Sequence, residues 1–120
     1  MSKILVIEDD AVLLRAYQNM FRPEGITVVG AGTGQEGLRM ALSEKPEVIL
    51  LDIMLPGHMN GFDVLEQLEK NPVTKPIPVI VLTNLSSEEG VARTIGASAY
   101  IVKANTTKDE IVKLVKQYLK

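Results

Sequence analysis

The stretch Val48-Ile49-Leu50-Leu51-Asp52-Ile53-Met54-Leu55-Pro56 runs four apolar residues into one carboxylate, and a turn at Pro56-Gly57 follows almost at once. A short apolar run bounded by Pro46 on one side and Pro56-Gly57 on the other reads as a strand buried on both faces. Strands of that kind belong to parallel sheets covered by helices, and ligands bind such sheets beyond the carboxyl ends of the strands. Asp52 stands at that end. The plainer reading of the same residue is an Asp that caps a helix or closes a turn.

Working outward, the chain repeats the pattern. Ile4-Leu5-Val6-Ile7 is a first β-prone run that ends in Glu8-Asp9-Asp10, one of which can also serve as a helix N-cap. Leu13, Ala16, Tyr17 and Met20 then recur at helical spacing until Pro23-Glu24-Gly25. Ile26-Thr27-Val28-Val29 is a shorter, more polar run, expected near a sheet edge. Gly32-Thr33-Gly34-Gln35-Glu36-Gly37 matches a dinucleotide-binding fingerprint, but Thr33 with Glu36 three residues on also makes a capping box. The cap is the preferred reading, because a lone glycine match is weak and its strand is peripheral. Leu38, Ala41 and Leu42 mark the inner face of the helix that follows.

Beyond the central stretch, Asn60 with Asp63 caps a helix with Phe62, Leu65 and Leu68 inward. His58, in the loop before it, is the only histidine and reads as solvated. Val79-Ile80-Val81-Leu82 runs into Thr83, and Ser86 with Glu89 opens a short helix that Gly96 closes. Ala99-Tyr100-Ile101-Val102 runs into Lys103. Thr107 with Glu110 starts a last helix whose stripe is Ile111, Leu114, Val115 and Tyr118. Five strands alternating with five helices imply an α/β fold, a doubly wound parallel sheet with helices on both faces.

The 120 residues are expected to form one domain, 1–120, with no separate output domain. A net charge of −2 offers no basic footprint for nucleic acid, and the absence of cysteine excludes disulfides, thiolate metal sites and cysteine nucleophiles. The first apolar run is too short for a signal peptide or a membrane span, so a cytoplasmic protein is expected.

All carboxyl ends of a parallel sheet lie on one edge. With strand order 2-1-3-4-5, that edge gathers Glu8, Asp9, Asp10, Asp52, Thr83 and Lys103. Two carboxylates about 5 Å apart repel by roughly 3 kcal/mol at an effective dielectric near 20, which calls for a cation. Oxygen ligands alone favour a hard ion, and Mg²⁺ takes a few carboxylates together with a phosphate. Lysine and hydroxyl suit phosphoryl oxygens, and a carboxylate can attack phosphorus to give an acyl phosphate. The chemistry implied is Mg²⁺-assisted phosphoryl transfer involving an aspartate, with the attacked carboxylate left open by spacing alone.

Over nearly its whole length the sequence resembles a response regulator receiver domain, of flavodoxin-like fold. The matching segments are ILVIEDD (4–10), LLDIMLPG (50–57), NGFDVL (60–65), VIVLTN (79–84) and GASAYIVK (96–103). The resemblance implies that Asp52 accepts a phosphoryl group from a histidine kinase or phosphotransfer protein, and that an unidentified downstream protein reads the result. It further implies Mg²⁺ held by Asp9, Asp52 and the Met54 backbone carbonyl, with Glu8 acting through water. Lys103, Thr83 and the Asn84 backbone would hold the phosphoryl group. Tyr100 would turn inward as Thr83 moves, altering the face of the fourth and fifth helices and fifth strand. An alternative is a receiver-like scaffold that works without phosphorylation; an aspartyl phosphatase is disfavoured because Met54 stands where its acid/base Asp would be.

Some positions depart from the family. Ala104 follows Lys103 where the family has a proline after a cis bond, and a cis bond before Ala would cost roughly 3 kcal/mol, so either a trans bond or visible strain is expected. The 57–60 loop is one residue longer, and the helix before Gly96 is short. Ser98 and Ala99 replace acidic residues that serve receiver dimers, which favours a monomer. Met54 and Leu85 cannot orient an attacking water, so slow self-dephosphorylation is expected.

Overall fold

The computed structural model describes residues 2–119; Met1 and Lys120, the ends of the expected 1–120 domain, lie outside the described residues. Five strands, β1 (Ser2–Ile7), β2 (Ile26–Ala31), β3 (Val48–Leu51), β4 (Val79–Thr83) and β5 (Ala99–Val102), form a parallel sheet in the order β2-β1-β3-β4-β5. Five helices alternate with them: α1 (Ala11–Phe21), α2 (Gly34–Ser43), α3 (Gly61–Lys70), α4 (Glu89–Ile95) and α5 (Lys108–Tyr118). This is the doubly wound architecture that the alternation implied.

Side chains alternate across each strand, so the central strands feed two cores. Leu5, Ile7, Ile49, Leu51, Val79 and Val81 face α2, α3 and α4. Ile4, Val6, Val48, Leu50, Ile80 and Leu82 face the other way, onto α1 and α5. Every residue of β3 and β4 is buried. Burying each such side chain is worth about 1.5–3 kcal/mol, which fixes β3 in the middle and Asp52 just beyond its end.

β2 is an edge strand, as expected, but it is as long as β1, pairing from Ser2↔Ile26 to Ile7↔Ala31. Gly30 does not break it, because Leu14 of α1 packs where a β-carbon would stand. The inward face of α2 also differs from the expected Leu38/Ala41/Leu42 stripe. Gly34, Gly37 and Ala41 are buried, and Leu42 is 43% exposed. A β-carbon on Gly37 would meet Ile7 Cδ1 at 2.6 Å, and one on Gly34 would meet Val64 Cγ2 at 2.8 Å. The glycines are therefore the contact surface that lets α2 lie close to the sheet and α3.

Capping shows which readings hold. Asn60/Asp63 and Thr107/Glu110 form complete capping boxes. At α2 only half forms: Thr33 Oγ1 accepts from the Glu36 amide at 3.2 Å, while Glu36 Oε1 accepts from the Gly32 amide. The Ser86/Glu89 box does not form. α4 starts at Glu89 after Glu88, with no side-chain cap, and Glu89 instead pairs with Arg93 at 2.8 Å, one helical turn on.

Candidate functional site

The strand order brings the ends of β1, β3, β4 and β5 to one edge, and with them Glu8, Asp52, Thr83 and Lys103. Glu8 directly follows β1, and its amide donates to the Ala31 carbonyl at 2.9 Å, which fixes the residue against β2. Its carboxylate is buried, with Oε2 accepting from the Asp10 amide at 3.2 Å. Asp52 directly follows β3; its amide donates to the Ile7 carbonyl at 3.1 Å, and its Oδ1 accepts from the Met54 amide at 3.0 Å.

Lys103 joins the two carboxylates. Its Nζ donates to Glu8 Oε1 at 2.7 Å and to Asp52 Oδ2 at 2.9 Å. The Lys103 side chain is only 15% exposed, so these are charge-assisted bonds largely shielded from water. Burial pushes the Glu8 carboxyl above its usual range; Lys103 and the Asp10 amide pull it back in part. For Lys103, burial works against the charge, but the bonds to Glu8 and Asp52 prevail and hold its pKa above the ordinary lysine value. The lysine is thus a fixed cation between two anions. It stands at the start of a 3-10 turn (Lys103–Asn105), and the Lys103-Ala104 peptide is trans, as expected for a residue that is not proline.

The other predicted residues are placed more loosely. Asp10, not Asp9, caps α1, its Oδ1 accepting from the Val12 and Leu13 amides at 2.9 and 3.3 Å. Asp9 is exposed and makes no side-chain hydrogen bond or ion pair among the described residues. Among those residues no three Asp, Glu, His or Cys side chains group closely enough to hold a metal ion. The donors near the acceptor are carboxylate and carbonyl oxygens, and His58 lies exposed in the following loop. That oxygen-only set fits a hard cation such as Mg²⁺ rather than a transition metal.

Thr83 is fully buried, and its Oγ1 accepts weakly from the Leu85 amide at 3.4 Å. Tyr100, on β5, is half-buried against the α2–α4 core, and its hydroxyl donates to the Leu85 carbonyl. Leu85 therefore connects the two residues of the expected switch. Asn84 is exposed, and Met54 is 57% exposed.

Two contributors escaped the sequence reading. Gly61, at the start of α3, lies so close to the chain after β3 that a β-carbon would collide with Ile53 Cα and meet the Asp52 carbonyl oxygen at 2.5 Å. Its amide donates to the Ile53 carbonyl at 2.9 Å, so it clamps the loop that carries the acceptor. Its place between a capping residue and Phe62 hinted at a close approach. Tyr17, read as an apolar residue of α1, lines a narrow void together with Glu8 and Asp52.

The sequence profile of the response regulator receiver domain family matches residues 4–116. The chain is 35% identical over 105 residues to protein PilH of Pseudomonas aeruginosa, spanning 86% of each chain. It is 34% identical over 112 residues to the transcriptional regulatory protein PdtaR of Mycobacterium tuberculosis, covering 91% of this chain but 53% of that one. A crystal structure of a CheY-like receiver domain protein from Methanospirillum hungatei superposes with a TM-score of 0.87 at 30% identity, covering 98% of this chain and 92% of the other. No helix among the described residues is long and apolar enough to cross a membrane.

Proposed function

The chain belongs to the response regulator receiver domain family, and on that premise we propose that it is a phosphorylation-dependent switch with Asp52 as phosphoacceptor. The observation that carries this reading is the half-buried ammonium of Lys103 bonded to both Glu8 and Asp52. Such a cation lies against the Asp52 carboxylate at the sheet edge and stands ready for the oxygens of an incoming phosphoryl group.

The donor is a histidine kinase or phosphotransfer protein. An Asp52 carboxylate oxygen attacks phosphorus, the bond from phosphorus to the donor imidazole breaks, and its electron pair stays on the imidazole nitrogen. An acyl phosphate results. Asp9, Asp52, the Met54 carbonyl and, through water, Glu8 would hold Mg²⁺, which would supply positive charge to let the two anions approach. The Thr83 hydroxyl, the Asn84 amide and Lys103 hold the phosphoryl oxygens.

Signal passes through Leu85. Its amide is held weakly by Thr83 and its carbonyl by Tyr100, so movement of the Thr83 hydroxyl toward the phosphoryl group disturbs the residue on which Tyr100 rests. That alters the face made by α4, β5 and α5, which a downstream protein reads. The protein works as a cytoplasmic monomer, and its only catalysis is of its own phosphorylation and slow dephosphorylation. The slow reset follows from Met54 and Leu85, which present no group that orients water.

Incubation with Mg²⁺ and acetyl phosphate, followed by intact mass, tests the proposal. One phosphoryl adduct, absent in Asp52→Asn, is expected. A folded wild-type protein that takes up no phosphoryl group would instead indicate a phosphorylation-independent scaffold.

A further inference from the structure

Tyr17 sits in the middle of α1 at 5% exposure, among the side chains that pack α1 and α5 against the sheet. With Glu8 and Asp52 it lines a narrow void that has no room for a water molecule. Its hydroxyl makes no hydrogen bond among the described residues. Every fully buried polar side-chain atom among those residues does have a partner, so the Tyr17 hydroxyl keeps some exposure. Burial holds the phenol above its ordinary pKa, with Lys103 lowering it in part and Glu8, Asp52 and Asp10 raising it, so it stays a neutral donor.

The neighbouring Glu8 gives this hydroxyl a use. In the resting site Glu8 Oε1 is held by Lys103 at 2.7 Å. A phosphoryl group on Asp52 brings more negative charge than the carboxylate it modifies, and it competes for the same ammonium. Glu8, only 3% exposed, would then lose the Lys103 bond at Oε1 while Oε2 keeps the Asp10 amide.

We propose that Tyr17 is a positioning residue of this site, its hydroxyl donating to the Glu8 carboxylate once Lys103 turns from Glu8 to the phosphoryl group on Asp52. The proposal rests on the phosphoacceptor reading above. The two residues line one void, and the exchange gives Glu8 Oε1 a donor in both states, leaving Lys103 free to move.

The test uses the full chain labelled with ¹³C at the tyrosine ring Cζ, with intact mass measured on the same samples. The three tyrosines give three signals, and Tyr17 is identified by its loss in Tyr17→Phe. As acetyl phosphate and Mg²⁺ form the adduct, the Tyr17 signal is expected to move as a phenol does on donating to a carboxylate. Phosphorylation of Tyr17→Phe at fixed acetyl phosphate is expected to slow about tenfold, the scale of one hydrogen bond to a charged group. A residue that only packs would leave Tyr17→Phe at the wild-type rate, since the ring is kept. A Tyr17 signal that stays in place while the adduct forms, or a wild-type rate in Tyr17→Phe, overturns the proposal. No adduct on the wild type defeats the phosphoacceptor reading itself, and this inference falls with it.

Discussion

Replacing Lys103 by Met keeps much of the side chain's length and volume but removes the charge between Glu8 and Asp52. Their side chains are 3% and 9% exposed, and the ammonium contacts them at 2.7 and 2.9 Å. Without it, two carboxylates about 5 Å apart repel by roughly 3 kcal/mol at an effective dielectric near 20. Breaking a buried ion pair by removing one partner costs about 3–5 kcal/mol, and this site opens at the sheet edge, so a loss of about 3 kcal/mol is expected at pH 7. With a slope of about 2 kcal/mol per molar urea, the unfolding midpoint should fall by about 1.5 M. The loss should also depend on pH. The folded-state pKa of Glu8 lies above the ordinary 4.5 because of burial, and Lys103 restrains the rise. A raised carboxylate contributes stability that is present below its unfolded pKa and lost as pH rises through its folded pKa. Lys103→Met removes the restraint, so Glu8 should take up a proton more readily and the variant should recover part of its deficit between pH 7 and pH 5. Urea titrations followed by far-ultraviolet circular dichroism measure both effects. A variant as stable as the wild type at pH 7, or equally destabilised at pH 5, would refute the electrostatic account of the triad.

Gly61→Ala should destabilise by about 2 kcal/mol or more, because the new methyl collides with backbone rather than with a side chain that can turn away. The same titration checks it, and slower phosphorylation by acetyl phosphate should accompany it because the Asp52 loop is displaced. Met54→Asn and Leu85→Glu should each shorten the phosphoryl lifetime by about tenfold, since each adds a group that can orient water; decay of the intact-mass adduct reports this. Thr107→Ala removes the hydroxyl that accepts from the Glu110 amide at 3.2 Å and should lower thermal stability by about 1 kcal/mol. Above pH 10.5 the wild type should lose stability, because the unfolded lysine releases its proton while Lys103, held above that value, keeps it.

The architecture was legible because its signals were redundant. Val48–Leu51 and Val79–Leu82 are apolar at every position, which only a strand buried on two faces requires, and turn or capping residues bounded each run. The polar residue after each run marked the sheet edge, so the sequence alone brings Glu8, Asp52, Thr83 and Lys103 together there. What could not be read depended on distance. The α2 glycines looked like helix weakeners and proved to be its contact face, because only the packed structure shows Ile7 and Val64 occupying the space of their missing side chains. Asp9 and Asp10 are equivalent as letters, and the direction of α1 decides that Asp10 is the cap. The Ser86 box failed because α4 is short and starts late, leaving Glu89 free to pair with Arg93. Tyr17 was hidden by its hydrophobic spacing, which places the ring but says nothing of the hydroxyl.

The most direct test of the central claim is chemical location of the phosphoryl group. After treatment with acetyl phosphate and Mg²⁺, borohydride reduces an aspartyl phosphate to homoserine, and peptide mass mapping then finds the altered residue. The account predicts homoserine at position 52 alone, and none in the Lys103→Met variant under the same short exposure. Homoserine at Glu8's neighbour Asp9, or phosphate on a side chain that borohydride leaves unchanged, would contradict it.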